Sequence, residues 1–508
     1  MCMQVAWKQM RVVVALLVTT NLSATYAQST SGQAGTSVLS PGVVSPGKGA
    51  SAATRLNLQQ CIDIAQQNNI QIRQGQLTVA NSDLQLHQSR LNLLPTTNFQ
   101  VNQGLNGGRS INPQSNGFIQ QSIVSGSYQL NGAATIYNGL TLRNTIKQND
   151  LILQASHQEL NATKNNVSLT VAQNYLNVLT GTEQLAVAQR QADVTQAQLD
   201  RTQRLVSAGS APEANLYELR ATLASNEVDI VTAQNTLDLA KVSLLQAMNV
   251  PISQDFEVES INVPDPGLTP YESSVQQLFD VAAGNLPEVK GADLRVKSAA
   301  LGVQVAKGAL YPVLTLNGNL SSLYSSAANQ QQVANGTTRP QITGFFTDAN
   351  GGQQPVYSSV PGYDVTNVTY FDQIHNNFNR SASLFLRVPI FQGNLSRNRI
   401  TTAKIQQQNA ELTALNTRLT LRQQIETAYT LMKAGANRYK ATQAQVASLE
   451  RAFQMAESRL NAGAINATDY SIAKTNLDRA RNSLVQAKYD YVFRTKILDY
   501  YQNKPLAF

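Results

Sequence analysis

The chain carries its own pattern twice, and a duplicated chain must fold as two equivalent units joined in one structure. Ile136-Tyr137-Asn138-Gly139 returns 254 residues later as Ile390-Phe391-Gln392-Gly393. Arg204-Leu205 precedes Ala208-Gly209 much as Arg459-Leu460 precedes Ala462-Gly463, with one residue fewer between them in the second copy. Upstream the spacing drops to 217, pairing Leu93-Leu94-Pro95 with Leu310-Tyr311-Pro312, so the second copy holds an insertion of about 37 residues.

Each half reads in one order: a helix ending at proline, an alternating segment, a loop, a second alternating segment, a very long helix, a break and another helix. Pro95 and Pro312 cannot continue a helix and push the residue before them to extended geometry. Strands are therefore expected over 96–103 and 314–321. In 124–136 the even positions are Val124, Gly126, Tyr128, Leu130, Gly132, Ala134 and Ile136, against Ser125, Ser127, Gln129, Asn131 and Thr135. Residues 382–390 repeat the alternation, with Phe385 and Pro389 breaking it. Such segments suit either a soluble antiparallel sheet or the wall of a transmembrane barrel, apolar toward lipid and polar toward a wet lumen.

Context favours the barrel. Residues 1–27 read as a secretory signal peptide, with Lys8 and Arg11 before the short apolar run Val12 to Val18 and small residues around Ala27. The 28–54 stretch is a Ser/Gly/Pro-rich flexible leader. With aromatics at 6% and a single tryptophan in 508 residues, no other large apolar surface is available to cover a sheet. Four strands cannot close a barrel, and an open edge in lipid leaves backbone groups unpaired, so several copies must share one. The segments 142–207 and 394–461 run without proline, and at about 1.5 Å per residue each reaches roughly 100 Å as a helix. Their apolar stripes are narrow and diluted by Gln and Asn, which suits side-by-side packing around a hydrated interior. Gly181 and Gly435, again 254 apart, mark a bend or a close approach in mid-helix.

These residues resemble the TolC-like outer membrane efflux proteins of Gram-negative bacteria. The likeness rests on "LNLQQCIDIAQQNNIQI" (56–72), the junctions "LNLLPTTNFQV" and "GALYPVLTLNGNL", the strand ends "IYNGLTLRN" and "VPIFQGNLSRN", and the two helical breaks, and it covers about 56–503. It implies a mainly α chain with a small transmembrane β part: a homotrimer with four strands per protomer in a shared 12-stranded barrel set in outer membrane lipid, above a long periplasmic α-helical barrel. The first efflux repeat spans 55–270, the second 271–503, and 504–508 form a tail. The resemblance further implies a passive exit duct of a tripartite efflux or type I secretion system, fed by an inner-membrane transporter through a periplasmic adaptor protein.

The breaks would form the inner tips of that duct. Gly209 and Gly463 suit the left-handed position that closes a helix, and Ser210 to Glu213 and Asn466 to Asp469 look like capping boxes restarting one. By resemblance the adaptor meets Gly209, Ser210, Ala211, Gly463, Ala464 and Ile465. A constriction would be lined at Asn215, Asp469 and Ile472. The family's second acidic position falls on Ile472, so an acidic gate would rest on Asp469, which serves equally as a cap. The insertion, within about 324–380, is placed outside the cell, as a folded lid or as a solvated loop.

Enzyme chemistry finds no support. His87, His157 and His375 lie far apart without a zinc spacing, no nucleophile elbow or phosphate loop is present, and Asp63 and Glu426 read as solvated helix residues. No cofactor or metal is expected. The net charge of +8 is mild for this length and interspersed, which does not point to nucleic acid. Cys2 lies in the signal, leaving Cys61 without an intramolecular disulfide partner. The rival reading is a periplasmic coiled-coil adaptor or scaffold without a pore, which would lack proline-to-strand junctions in both halves.

Overall fold

The computed structural model describes residues 54–111, 117–251, 256–259, 273–348, 351–502 and 504. The expected signal peptide, and the leader up to residue 53, lie outside the described residues, as does the tail apart from Lys504. A short strand β1 (Thr54–Leu56), assigned at Thr54 to the leader by sequence, pairs in parallel with β4 (Phe256–Val258). The first repeat continues as α1 (Leu58–Asn68), α2 (Ile70–Leu91), β2 (Thr96–Ile111), β3 (Phe118–Asn138), α3 (Thr141–Ser207) and α4 (Glu213–Met248). The second runs α5 (Val275–Asn285), α6 (Pro287–Gly308), β5 (Val313–Ser325), then an inserted β6 (Gln330–Thr347), β7 (Gln353–Asn367) and α7 (Tyr370–Asn376). It closes with β8 (Asn379–Arg387), α8 (Leu395–Asn461) and α9 (Ala467–Tyr501).

The duplication holds to the level of single hydrogen-bond pairs. Strands β2, β3, β5 and β8 form one antiparallel sheet in that order. Thr96 lies opposite Ala133 in the first hairpin, and their counterparts, 217 and 254 residues on, are Val313 opposite Arg387 in the second. Capping boxes repeat as well: Asn57 with Gln60 opens α1, and Ser274 with Gln277 opens α5. Each box satisfies two backbone N–H groups at a helix start, worth about 1 kcal/mol.

The helical core obeys the same rule. Val167, Val171, Val178 and Leu244 of one buried cluster recur 254 residues on as Leu421, Ile425, Met432 and Leu498 of another. Cys61, fully buried, corresponds to Leu278, also fully buried. Cys61 thus occupies a leucine-type core position, and burial pushes its thiol up to about 11, far from a reactive thiolate.

Both mid-helix glycines mark close approach. A Cβ on Gly181 would stand 3.1 Å from the Leu237 Cα of α4. A Cβ on Gly435 would meet the Arg494 Cδ at 3.3 Å and the Tyr491 Cα at 3.5 Å on α9. Leu237 and Tyr491 are themselves 254 apart.

Three expectations are corrected. The strand expected over 382–390 spans 379–387, because beyond Arg387 the neighbouring β5 has ended and Pro389 has no N–H to give a ladder. The strand expected over 96–103 runs on to Ile111, carried by β3 opposite it. The insertion, for which a solvated loop was an open alternative, is ordered as the β6–β7 hairpin and α7. Helix α7 is anchored on the sheet: Tyr370 packs its ring 4.5 Å from Tyr324, its hydroxyl bonds to that of Tyr128, and the Ser322 hydroxyl donates to the Ile374 carbonyl at 2.6 Å.

The glycine contacts predict opposite outcomes at equivalent positions. Gly435→Ala faces a side chain that can swing aside and gains about 1 kcal/mol of helix propensity, so the thermal midpoint holds or rises. Gly181→Leu overpacks against backbone and lowers it, with a cost of about 1–3 kcal/mol. Thermal denaturation of both variants, followed by helical circular dichroism, checks the contrast.

Candidate functional site

Helices α3 and α8 end identically. The Gly209 N–H donates to the Val206 carbonyl at 2.9 Å and the Ser210 N–H to the Leu205 carbonyl at 2.8 Å. The Gly463 N–H donates to the Leu460 carbonyl at 3.0 Å and the Ala464 N–H to the Arg459 carbonyl at 2.8 Å. This is the Schellman closure, and it needs the left-handed φ of +70° at Gly209 and +69° at Gly463. A Cβ on either glycine would meet nothing within 4 Å, so the backbone conformation, not crowding, selects glycine there.

The restarts differ. Asn466 caps α9, its side-chain oxygen accepting the Asp469 N–H at 2.8 Å. The expected box from Ser210 to Glu213 is absent: Pro212 is the cap residue, without a side-chain bond, and α4 begins at Glu213. Proline at 212 drives Ala211 out of helical geometry, so the first turn cannot begin where a Ser210 cap requires it. Ser210, Gly209, Gly463, Ala464 and Asp469 are exposed, whereas Ala211, Ile465 and Asn215 are half-buried. Ile472 is exposed, a large apolar side chain in the second turn of α9.

A polar node that the sequence did not reveal fastens the two hairpins together. Lys474 of α9 is buried and donates from Nζ to the Gln191 carbonyl of α3 at 3.1 Å and to Asp478 Oδ2 at 3.0 Å. The same Gln191 carbonyl accepts from Asn226 Nδ2 of α4 at 3.4 Å, and Asn226 also bonds to Thr195 Oγ1 at 2.6 Å. Beside it Thr222 of α4 bonds Ser471 of α9 at 3.0 Å. Burial raises the Asp478 carboxyl above its ordinary range, and the Lys474 ammonium opposes that rise. A cavity of about 670 Å³ opens on this node between α3, α8 and α9, with Arg481 paired to Glu450 at 2.7 Å on its wall. The missing signal was tertiary: only the packing of α3 against α9 buries Lys474 and Asp478.

The sheet presents a second decisive geometry. One face aligns Asn98 with Asn131 and Asn319, and Gln100 with Gln129 and Ser321, with an Asn319-to-Asn131 side-chain bond of 2.7 Å. The other aligns Phe99, Leu130 and Leu320, then Leu316 with Leu384, all of them solvent-exposed. No core covers that apolar face. Among the described residues no helix is long and apolar enough to cross a membrane.

A family model described as "Outer membrane efflux protein" matches residues 21–250 and 278–496, one block on each repeat. The chain belongs to that family. It is an outer membrane protein whose helical part lies in the periplasm. It is 22% identical to the outer membrane protein TolC of Escherichia coli over 86% of this chain and 80% of that one. It is 26% identical to the pyoverdine export outer membrane protein OpmQ of Pseudomonas putida over 35% of this chain, a match spanning 37% of OpmQ. Among solved structures, CusC, a transmembrane channel, superposes with a TM-score of 0.70 at 17% identity, over 89% of this chain and 93% of that one.

The Lys474 node yields a double-mutant prediction. Lys474→Met strands the buried Asp478 carboxylate and lowers stability by about 3–5 kcal/mol. Lys474→Met with Asp478→Leu removes both charges and recovers most of the loss. Helical thermal denaturation of the two variants beside the parent checks this.

Proposed function

We propose that the chain is the passive outer-membrane exit duct of a tripartite export assembly, three copies sharing one 12-stranded barrel continued by a helical cylinder in the periplasm. The observation that carries this is the four-stranded sheet with one apolar face uncovered and, among the described residues, no strand beyond either edge strand, β2 or β8. In lipid each unpaired backbone group costs several kcal/mol, so closure by further copies is the stable solution. Polar side chains on the opposite face then line a wet bore, and the long helices extend it toward the inner membrane. An energised inner-membrane transporter supplies the cargo, because nothing in a duct of this kind performs work.

The tight turns at Gly209-Ser210-Ala211 and Gly463-Ala464-Ile465 form the inner tips and receive the periplasmic adaptor. The exposure of Gly209, Ser210, Gly463 and Ala464 supports this, as does the open space that a Cβ on either glycine would meet. Asn215, Asp469 and Ile472 narrow the bore just inside the tips. The β6–β7 hairpin, inserted between β5 and β8, stands at the extracellular end as a lid over the mouth.

Recovery of the chain in the outer membrane as a detergent-resistant trimer supports the duct; a soluble periplasmic monomer would reject it. Asp469→Lys tests the constriction in planar bilayers. If Asp469 lines the bore, the substitution lowers cation selectivity and single-channel conductance; unchanged selectivity removes Asp469 from the constriction.

A further inference from the structure

Helix α7 sits on the apolar face of the sheet, the outside of the proposed wall. Tyr128 shares that face with Val101 and Leu130, and Ser322 and Tyr324 share it with Leu320. These are the residues that hold the helix: Tyr370 rests against Tyr324 and Tyr128, and the Ile374 carbonyl accepts from Ser322. The rest of its underside is polar and satisfied. Gln373, buried, accepts from the Ser325 N–H at 3.1 Å and donates to Asn329 Oδ1 at 2.9 Å, and Asn377 Nδ2 donates to the Leu323 carbonyl at 2.8 Å. What faces outward is Phe371, 76% exposed, and, just past the helix, Phe378, 56% exposed. A surface helix in water buries its apolar residues and shows its polar ones, and α7 does the reverse at Gln373 and Phe371.

The level of α7 along the wall points the same way. Strand β5 starts at Val313, next to α6, and reaches Ser322 nine residues later and Tyr324 eleven residues later. With a rise of about 3.3 Å per residue and a strand tilt of about 40°, Ser322 and Tyr324 stand about 23 and about 28 Å above that start. The apolar band of an outer-membrane barrel is about 25 Å tall and is bounded by aromatic girdles, so α7 crosses the sheet where such a band ends. At the opposite end Tyr137, facing the same side opposite Leu314, is also exposed. Between the two levels this face carries Phe99, Leu130, Leu316, Leu320 and Leu384. Arg380, opposite Leu320, stands just below α7, where its apolar stem can carry the guanidinium up to the interface.

We infer that α7 is a membrane-interface clamp: Phe371 and Phe378 lie among the upper ends of the outer-leaflet acyl chains and hold the barrel at a fixed depth. This rests on the lipid-facing barrel proposed above and names what covers the patch. Lipid is the occupant because α7 rests on β3 and β5, the two inner strands, away from the edges at which a further copy would join and on the face turned from the bore. Amphipathic aromatic residues at this level gain from an environment that is apolar below and wet above.

Depth-dependent fluorescence tests the clamp. The one tryptophan, Trp7, falls in the expected signal peptide, so Phe371→Trp and Phe378→Trp each add a reporter that is read against the parent chain. The proteins are reconstituted in phosphatidylcholine vesicles brominated either near the headgroup or near the end of the acyl chain. Both reporters emit blue-shifted light, are quenched more strongly by the shallow bromine than by the deep one, and are poorly reached by aqueous iodide. Leu316→Trp, within the sheet, is the control and is quenched by brominated lipid. If Leu316→Trp is quenched by lipid while both reporters are open to iodide, or are reached by neither reagent, the clamp is overturned and the barrel stands. If Leu316→Trp shows no lipid quenching, the lipid-facing barrel fails and the clamp fails with it. Shallow quenching at either reporter supports the clamp, so one misfolded variant does not remove the test.

Discussion

Backbone hydrogen bonding at the edges of one small sheet governs this molecule. Four antiparallel strands pair their backbones with one another, but among the described residues β2 and β8 each have one edge with no strand opposite. In water such edges are tolerable; against lipid they are not. The apolar face of the sheet is uncovered and the family is one of outer membrane proteins, and in the proposed duct it is other copies that close these edges. The narrow apolar stripes of α3 and α8 fit the proposed cylinder, since helices lining a hydrated bore need only a seam with each neighbour, not a globular core.

Duplication supplies the means. Identical ladder registers in the two hairpins mean that one hairpin design serves both repeats. The helices carry the same economy: a glycine in each long helix lets its return helix approach at Leu237 or at Tyr491. Equivalent core positions need not keep one residue, and Cys61 beside Leu278 shows volume and apolarity to be the requirement.

What the sequence disclosed and what it withheld divide along a physical line. Periodic or local features were legible: the two offsets, the alternation, the helix stops at Pro95 and Pro312, the left-handed glycines at 209 and 463. Each depends on residues within a few positions of one another. The box at Ser210 was misread because the motif considers positions 210 and 213 and overlooks what Pro212 does to Ala211 between them. The end of β8 was misplaced because alternation continues past Arg387 while the neighbouring strand does not. The buried node at Lys474 was invisible, since its partners stand on α3 and α4, hundreds of residues away in the chain.

That node is also where the repeats cease to match. Lys474 corresponds to Arg220, which is exposed and lies over the Tyr217 ring. Asn226 and Thr195, polar and buried in the first repeat, correspond to Ala480 and Leu449, which pack in an apolar cluster with Val446 and Leu477. An apolar contact between helices slides at small cost as ridges move along grooves. A buried ammonium cannot leave a carbonyl and a carboxylate without leaving charge unpaired in a low-dielectric site. The α8–α9 hairpin is thus held to α3 by a bond that resists sliding, placed only a few turns from the Gly463 closure. One turn nearer the tip the contact continues through the buried Tyr470, whose ring lies 5.3 Å from Phe453, and through the Thr222–Ser471 hydrogen bond.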